Sequence, residues 1–176
     1  MVPVRSDPLR ALLDAAVEGD DRAVAEFVRR TQSAVWRVCA NLGSPGEEED
    51  LAQDVYLRAL RAASGYRGDA PVLPWLLAIA RHACADDVRR RQRQRRVLER
   101  LRVVATESAV SPGDSVDDLL AALSPDRRAA FVMTQLVGLS YEEAAIALDC
   151  PVGTVRSRVA RARGDLLTLL RRTEAV

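Results

Sequence analysis

The segment from Leu139 to Arg163 constrains the fold more than any other part of this 176-residue chain. Ser140, followed three residues later by Glu143, is the capping-box pattern that begins a helix. Alanines keep this helix slim, and Pro151 interrupts it and begins a second helix at a first-turn position. Two short helices with a sharp bend between them predict a helix-turn-helix, which indicates binding to duplex DNA.

The second of these helices has an apolar side and a polar side. Apolar residues recur at three- and four-residue steps and predict a stripe that faces the protein: Val152, Val155, Val159, Ala162, Leu166 and Leu169. Arg156, Ser157, Ala160 and Arg161 cluster on about the opposite side, where arginine can bind guanine through two parallel hydrogen bonds. The alternative is that these arginines only solvate an amphipathic helix.

Composition favours helices over strands. The chain is 48% apolar but only 4% aromatic, its β-branched runs are short, and alanine, leucine, arginine and glutamate are abundant. We therefore expect an all-α protein. The three cysteines are far apart and have no metal-ligand spacing, so we expect no disulfide framework, no metal site and no cofactor.

Charge is separated along the chain although the net charge is only +1. An acidic cluster contains Glu47, Glu48, Glu49, Asp50 and Asp54, and a basic cluster contains Arg89, Arg90, Arg91, Arg93, Arg95 and Arg96. This separation predicts two different partners. Neither a signal peptide nor a membrane-length apolar segment is present in the sequence, so we expect a cytoplasmic protein without membrane contact of its own.

The pattern of helix starts and stops predicts two small helical domains. Helices are expected over about Pro8–Glu18, Asp21–Leu42, Ser44–Gly65 and from Trp75 into the arginine run, and then over 116–123, 125–138 and the helix-turn-helix. Residues 8–102 form the first predicted domain and 116–172 the second. Residues 103–115 have a turn-rich composition and are interpreted as a flexible linker.

A second candidate site lies between Tyr66 and Arg91. A glycine- and proline-containing loop is followed, from Trp75 onward, by a helix that becomes strongly basic. An unstacked base needs a shaped pocket and a π surface, and a basic helix beside it can hold phosphates, so this pairing suits single-stranded nucleic acid. The alternative is that Tyr66 and Trp75 are core aromatics and that the arginines are a solvated helix end.

Three motifs in this order resemble the extracytoplasmic-function sigma factors, which are promoter-recognition subunits of bacterial RNA polymerase. They are the helix from Asp50 to Leu60, the loop and helix from Tyr66 to Arg81, and the stretch from Pro151 to Arg158. Together they span nearly the whole chain and are far more specific than any one of them.

The resemblance implies a partner for each motif. Asp50, Gln53, Asp54 and Arg58 are implied to bind the clamp helices of the largest subunit of core RNA polymerase, and the polymerase flap and an anti-sigma factor are further implied partners. The loop from Gly68 to Leu73 is implied to capture a base flipped from the minus-10 element. The helix from Trp75 through Arg91 is implied to hold the opened strand.

The implied DNA contacts fall into two sets. The minus-10 set is Tyr66, Arg67, Gly68, Asp69, Trp75, Arg81, His82, Arg89 and Arg90. The minus-35 set is Thr154, Arg156, Ser157, Ala160 and Arg161. His82 stands where many members of the family have asparagine, and the acidic pair Asp86 and Asp87 lies among residues expected near phosphates.

The predicted function is promoter recognition at two points, with the polymerase fixing the distance between them. The sequence has no phosphate-binding glycine loop and no nucleophile-base arrangement, so we expect no enzymatic activity and no catalytic residues. One rival is a dimeric transcriptional regulator that uses the same helix-turn-helix on a palindromic site. Another is a helical RNA-binding enzyme, which has no supporting catalytic pattern.

Overall fold

The computed structural model describes residues 7–101 and 116–173, and within these ranges the chain forms helices and turns without strands. The α-helices are α1 (Pro8–Val17), α2 (Asp21–Leu42), α3 (Glu48–Ala63), α4 (Val72–Leu101), α5 (Val116–Ala121), α6 (Pro125–Phe131), α7 (Tyr141–Leu148) and α8 (Val152–Thr173). The all-α prediction is confirmed. The predicted linker, 103–115, lies outside the described residues.

Aspartates begin the first two helices. The carboxylate of Asp7 accepts a hydrogen bond from the backbone N–H of Leu9 at 3.0 Å, and that of Asp20 accepts from the N–H of Arg22 at 2.8 Å. Asp7 also accepts from the N–H of Val72 at 2.7 Å. Helix α4 begins at Val72 and not at the predicted Trp75, and its first N–H is bound by a residue 65 positions away in the sequence.

Two other helix boundaries differ from the sequence predictions. Helix α3 begins at Glu48, four residues after the predicted Ser44, because Gly46 turns the backbone at a φ of +81°. The helix predicted over 125–138 is α6 followed by a π-helical segment, Val132–Leu136. The sequence Ser124-Pro125-Asp126 predicts a helix cap, but the side chain of Ser124 makes no capping hydrogen bond, so this prediction is wrong.

The core of α1 to α4 is built from apolar side chains that face inward. The largest of them, all less than 2% exposed, include Phe27, Val35, Val55, Leu76 and Leu77. Burying a side chain of this size stabilises the fold by about 1.5–3 kcal/mol. This packing fixes α3 and the basic helix α4 beside each other.

The C-terminal helices pack on this core. Helix α7 lies against α4, and its Ala144, Ala147 and Leu148 belong to the same apolar cluster as the core of α1 to α4. A smaller cluster joins Leu120 and Leu123 to Ala162 of α8. The face of α7 that contains Ala144 and Ala147 is therefore the face on which the two halves of the chain meet.

Two arginines add polar contacts between the halves. Arg37 of α2 donates to the carbonyl of Leu136 at 2.8 Å, and Arg128 of α6 donates to the carbonyl of Asn41 at 3.4 Å. Over the part of the chain that the structure describes, every helix is too short or too polar to cross a bilayer.

Candidate nucleic-acid interface

The turn between α7 and α8 fixes the geometry of the helix-turn-helix. Ser140 Oγ accepts from the N–H of Glu143 at 3.1 Å, and Glu143 Oε2 accepts from the N–H of Ser140 at 2.9 Å, so the predicted capping box is confirmed. Helix α7 ends at Leu148, and the next residue, Asp149, has a left-handed φ of +50°. A short aspartate side chain tolerates this conformation, which produces the sharp bend before Pro151.

Helix α8 buries the predicted apolar stripe. Val155, Val159 and Ala162 are at most 1% exposed, while Val152, Leu166 and Leu169 are half-buried. This stripe fixes the rotation of α8 about its own axis. The rotation determines which side chains remain available to a partner.

The opposite side of α8 is open to solvent. Arg156, Ser157, Ala160 and Arg161 are exposed, and Thr154 is half-buried at the edge of this surface. Arg161 has no ion pair in the described ranges, and Arg156 has only a loose one of 3.9 Å to Glu142. We call these five residues the duplex-reading face.

The ring of Tyr141 supports one side chain of this face. The guanidinium carbon of Arg156 lies 5.9 Å from the ring centroid of Tyr141, a cation–π contact that orients the side chain without neutralising it. The Oγ of Ser157 donates to the carbonyl of Thr154 at 2.9 Å. A charged, loosely held arginine beside a small polar residue is suited to the edges of bases in the major groove.

The neighbouring arginines of α8 bind protein groups. Arg158 forms an ion pair with Asp126 of α6, and Arg163 donates to Gln135 Oε1 at 2.7 Å. These contacts fasten α8 to α6 and the π-helical segment. They separate the structural arginines of this helix from the arginines of the duplex-reading face.

Two aromatic residues that contact each other flank the predicted base-capturing loop. The ring centroids of Tyr66 and Trp75 are 4.8 Å apart with a 40° tilt, and both residues are half-buried. The hydroxyl of Tyr66 donates to the carbonyl of Ala70 and closes the loop. Burial raises the pKa of Tyr66 above its usual value, which keeps this hydroxyl protonated as a donor.

Arg10 of α1 packs against this loop, a contact that the sequence did not predict. Its guanidinium carbon lies 4.7 Å from the ring centroid of Tyr66. Gly68 has a φ of +81°, a conformation that favours glycine, and a Cβ there would lie 2.5 Å from Arg10 Nη1, so the flexible end of the Arg10 side chain would have to move. Arg67, Gly68 and Asp69 are exposed. A contact across 58 residues has no local sequence signal.

The predicted minus-10 residues of α4 divide into covered and exposed groups. Arg81 is half-buried, and its Nε donates to the carbonyl of Ala147 in α7 at 3.3 Å. Arg81 Nη2 also lies 2.9 Å from Nε2 of the exposed His82. Arg89 and Arg90 are exposed about two turns further along α4. The structure therefore does not present all of these residues on one open surface.

The acidic pair within α4 binds the arginines beside it. Asp86 accepts from Arg89 at 2.7 Å and from Arg58 of α3 at 3.0 Å. Arg58 first, and then Arg89, hold the pKa of Asp86 below its usual value. The negative charge of Asp86 is thus balanced by two arginines, one on α3 and one on α4. This pairing explains how an acid is accommodated on the basic helix.

Asp87 anchors the turn before α3. It is 4% exposed, accepts from the N–H of Ser44 at 3.2 Å, and pairs with Arg90 at 2.7 Å. Burial acts to raise the pKa of Asp87, but the hydrogen bonds from Ser44 and Arg90 outweigh it and lower the pKa. The carboxylate is therefore charged and structural.

Helix α3 presents an acidic face beside these bridges. Asp50 and Gln53 are exposed, and Asp54 is half-buried. Arg58 differs from the other predicted polymerase contacts because its guanidinium is held between Asp54 and Asp86. Leu57, 48% exposed on the same face, was missed, although its helical spacing from Gln53 and Asp54 is visible in the sequence. We call Asp50, Gln53, Asp54 and Leu57 the docking face.

Two families of known proteins match the two halves of the chain. The family model for sigma-70 region 2 matches residues 27–94, which contain α3 and most of α4. The model for sigma-70 region 4 matches residues 113–166, which contain the helix-turn-helix. The two matched regions belong to one class of protein, the sigma-70 factors.

Curated relatives and solved structures refine the class. The chain is 40% identical to "ECF RNA polymerase sigma factor SigC" of Mycobacterium tuberculosis over 92% of this chain and 90% of that protein. It is 31% identical to "ECF RNA polymerase sigma-E factor" of Escherichia coli over 88% and 90%. CnrH in complex with the cytosolic domain of CnrY superposes with a TM-score of 0.73, at 30% identity, over 92% of this chain and 96% of CnrH.

A second solved structure is RpoE of Bartonella quintana in complex with the anti-sigma factor NepR. Its TM-score is 0.66 at 28% identity, over 83% of this chain and 97% of that one. The chain belongs to the extracytoplasmic-function sigma factors, a family of transcription-initiation factors.

Proposed function

We propose that this sigma factor binds core RNA polymerase through the docking face and recognises promoters at two points. In this proposal the duplex-reading face of α8 binds the minus-35 element in the major groove. The loop around Gly68 and helix α4 hold the melted minus-10 strand. The observation that carries the proposal is the pair of exposed, weakly partnered arginines, Arg156 and Arg161, on a helix-turn-helix whose rotation is fixed by its buried stripe.

Reading both elements requires α4 and α7 to separate. The positions in their names place the minus-35 and minus-10 elements about 25 base pairs apart, or about 85 Å at 3.4 Å per base pair. Helix α4, with 30 residues, is about 45 Å long at 1.5 Å per residue. We therefore propose that binding to the polymerase opens the contact between Arg81 and Ala147.

The remaining partners follow from the family. Two solved relatives are complexes, of CnrH with the cytosolic domain of CnrY and of RpoE with the anti-sigma factor NepR, and we propose that an anti-sigma factor also controls this chain. We propose further that the polymerase flap contacts the C-terminal half. The site works in the cytoplasm without catalysis of its own, since DNA synthesis belongs to the core enzyme.

Run-off transcription with purified core polymerase tests this function. Adding the chain to core on genomic fragments should produce transcripts from specific start sites that core alone does not produce. If no template gains a start site, the proposed function is wrong. A footprint that forms on a palindromic site without core would instead support the dimeric regulator.

The docking face has a separate test. Asp54→Arg reverses the charge of a half-exposed acid and should weaken association with core at least tenfold, since close charge pairs at interfaces couple strongly. Glu49→Gln, which removes an exposed acid from the same helix but outside the docking face, is the matched control. Unchanged co-elution of the Asp54→Arg variant with core would remove the docking face from the proposal.

A further inference from the structure

Four charged side chains form a continuous row of ion pairs from the docking face to the strand-binding helix. Asp54 of α3 accepts from Arg58 at 2.8 Å. Arg58 also donates to Asp86 of α4 at 3.0 Å, and Asp86 accepts from Arg89 at 2.7 Å. The side chains alternate between negative and positive charge along one groove of about 470 Å³ between α3 and α4. We call Asp54, Arg58, Asp86 and Arg89 the charge relay.

The two central members of the relay are each shared between two partners. Arg58 Nη2 binds Asp54 while its Nη1 binds Asp86. The two carboxylate oxygens of Asp86 are likewise divided between Arg58 and Arg89. A shared charge binds one partner more closely when it loses the other. Strengthening one pair of the relay therefore weakens the next.

We propose that Asp86 is a positioning residue that couples polymerase docking to strand binding by holding Arg89 in the free chain and releasing it on docking. A polymerase cation that binds Asp54 takes this carboxylate from Arg58. Arg58 then binds Asp86 more closely, and Arg89 becomes available to a phosphate. The inference deepens the proposed function and rests on it, because the docking face and the strand-binding role of α4 are part of that proposal.

Arg90 provides an internal contrast. Its partner Asp87 is nine-tenths buried and is also bonded to the backbone of Ser44. Arg58 does not contact Asp87, so the relay does not reach Arg90. Docking should change the availability of Arg89 and leave that of Arg90 as it is.

The relay should change the affinity for DNA only by a small factor. All four side chains of the relay are at least 39% exposed, and exposed ion pairs are weak and screened by salt. Removing one pair should change DNA affinity about two- to fivefold at low salt. Coupling of this kind is reciprocal, so DNA held by Arg89 strengthens docking by the same factor.

The test is a mutant cycle on the full-length free chain with a fluorescent single-stranded oligonucleotide of non-promoter sequence, read by anisotropy at low salt. Asp86→Asn should bind about two to five times more tightly than the unmodified chain. The gain should disappear in an Arg89→Ala background and persist in an Arg90→Ala background. A gain that survives without Arg89, or no gain at all, would overturn the proposal.

A second arm imitates docking without the polymerase. Asp54→Asn frees Arg58 and should raise affinity for the same oligonucleotide up to about twofold, but only when Arg58 is present. In an Arg58→Gln background this gain should vanish, whereas loss of a negative charge alone would act equally in both backgrounds and would contradict the relay. Glu49→Gln, outside the relay, should leave affinity unchanged.

The holoenzyme separates this inference from the proposed function. Bound to core on a mapped promoter fork, Asp86→Asn should match the unmodified chain because Arg89 is already released. An equal gain in the free chain and the holoenzyme would overturn the coupling. Failure of the chain to bind core would overturn the docking step and the proposed function together, while the free-chain cycle would still decide whether Asp86 holds Arg89.

Discussion

The two candidate DNA-binding helices hold their arginines in opposite ways. On α8, Arg161 has no ion pair within the described ranges and Arg156 has one at 3.9 Å. On α4, Arg89 and Arg90 each form a 2.7 Å ion pair with an aspartate of the same helix. A free arginine can make two directed bonds to a base, whereas a paired arginine has to exchange a carboxylate for a phosphate. The difference predicts specific recognition by α8 and conditional, sequence-independent holding by α4.

The largest effect should come from removing a base contact of α8. Arg161→Ala should reduce discrimination between matched and mismatched minus-35 elements by about 1–3 kcal/mol, because direct readout is lost. Competition transcription between the two templates measures it. Arg163→Ala, which removes an arginine bound to Gln135, should leave discrimination unchanged. Unaltered promoter choice in the Arg161 variant would show that this face does not read bases.

The next effect concerns how α4 is anchored. Asp87→Ala leaves the buried N–H of Ser44 without its acceptor and should lower the free energy of unfolding by about 1–3 kcal/mol. Chemical denaturation measures this change. Asp86→Ala, at an exposed position, is the matched control and should cost less. Equal losses for the two variants would contradict the buried anchor.

The stabilising effect of Asp87 should depend on pH in one direction. Its pKa is lowered in the folded state, so its contribution is complete above the unfolded-state pKa of about 3.9 and is lost as the pH falls through the folded-state pKa. The stability difference between the unmodified chain and Asp87→Ala should therefore narrow below about pH 4. A stability difference that widens on acidification would contradict a lowered pKa of Asp87 in the folded state.

The capping box of α7 gives a smaller effect. Ser140→Ala removes the acceptor for the N–H of Glu143 and should lower the free energy of unfolding by about 1 kcal/mol. Ser157→Ala, an exposed serine of α8, is the control for stability. If Ser140→Ala is neutral in thermal unfolding, the bend of the helix-turn-helix is held by packing alone.

The smallest effect should come from a phosphate contact of α4. Arg89→Ala in the holoenzyme should weaken binding about equally on all promoters and reduce the slope of log affinity against log salt by about one. Salt titration of open-complex binding measures this slope. A preference for particular minus-10 sequences in this variant would contradict the sequence-independent role assigned to α4.

Local patterns predicted the helix-turn-helix better than the N-terminal half. The capping box and the stripe with Val155 and Val159 are periodic signals within one segment, and the structure confirms them. The start of α4 at Val72 depends on Asp7, and the environment of Gly68 depends on Arg10. Contacts between distant segments leave no periodic pattern, so they were missed.

The acidic pair shows the same limit at the level of charge. The sequence places Asp86 and Asp87 among arginines but does not show that Arg58 and the backbone of Ser44 lie against them. The contact of α7 with α4 was also not expected, although the sequence indicates that alanines keep α7 slim. Spacing indicates that a face is slim, and only the fold shows what packs on it.

Site-specific photocrosslinking in the holoenzyme tests promoter recognition at two points most directly. A photoreactive residue at the exposed position of Ala160 and another at that of His82 are placed, one at a time, in the chain bound to core on a mapped promoter. The Ala160 position should crosslink to the minus-35 duplex and the His82 position to the minus-10 strand. Crosslinks from both positions to one element, or no crosslink to DNA from either position, would contradict promoter recognition at two points.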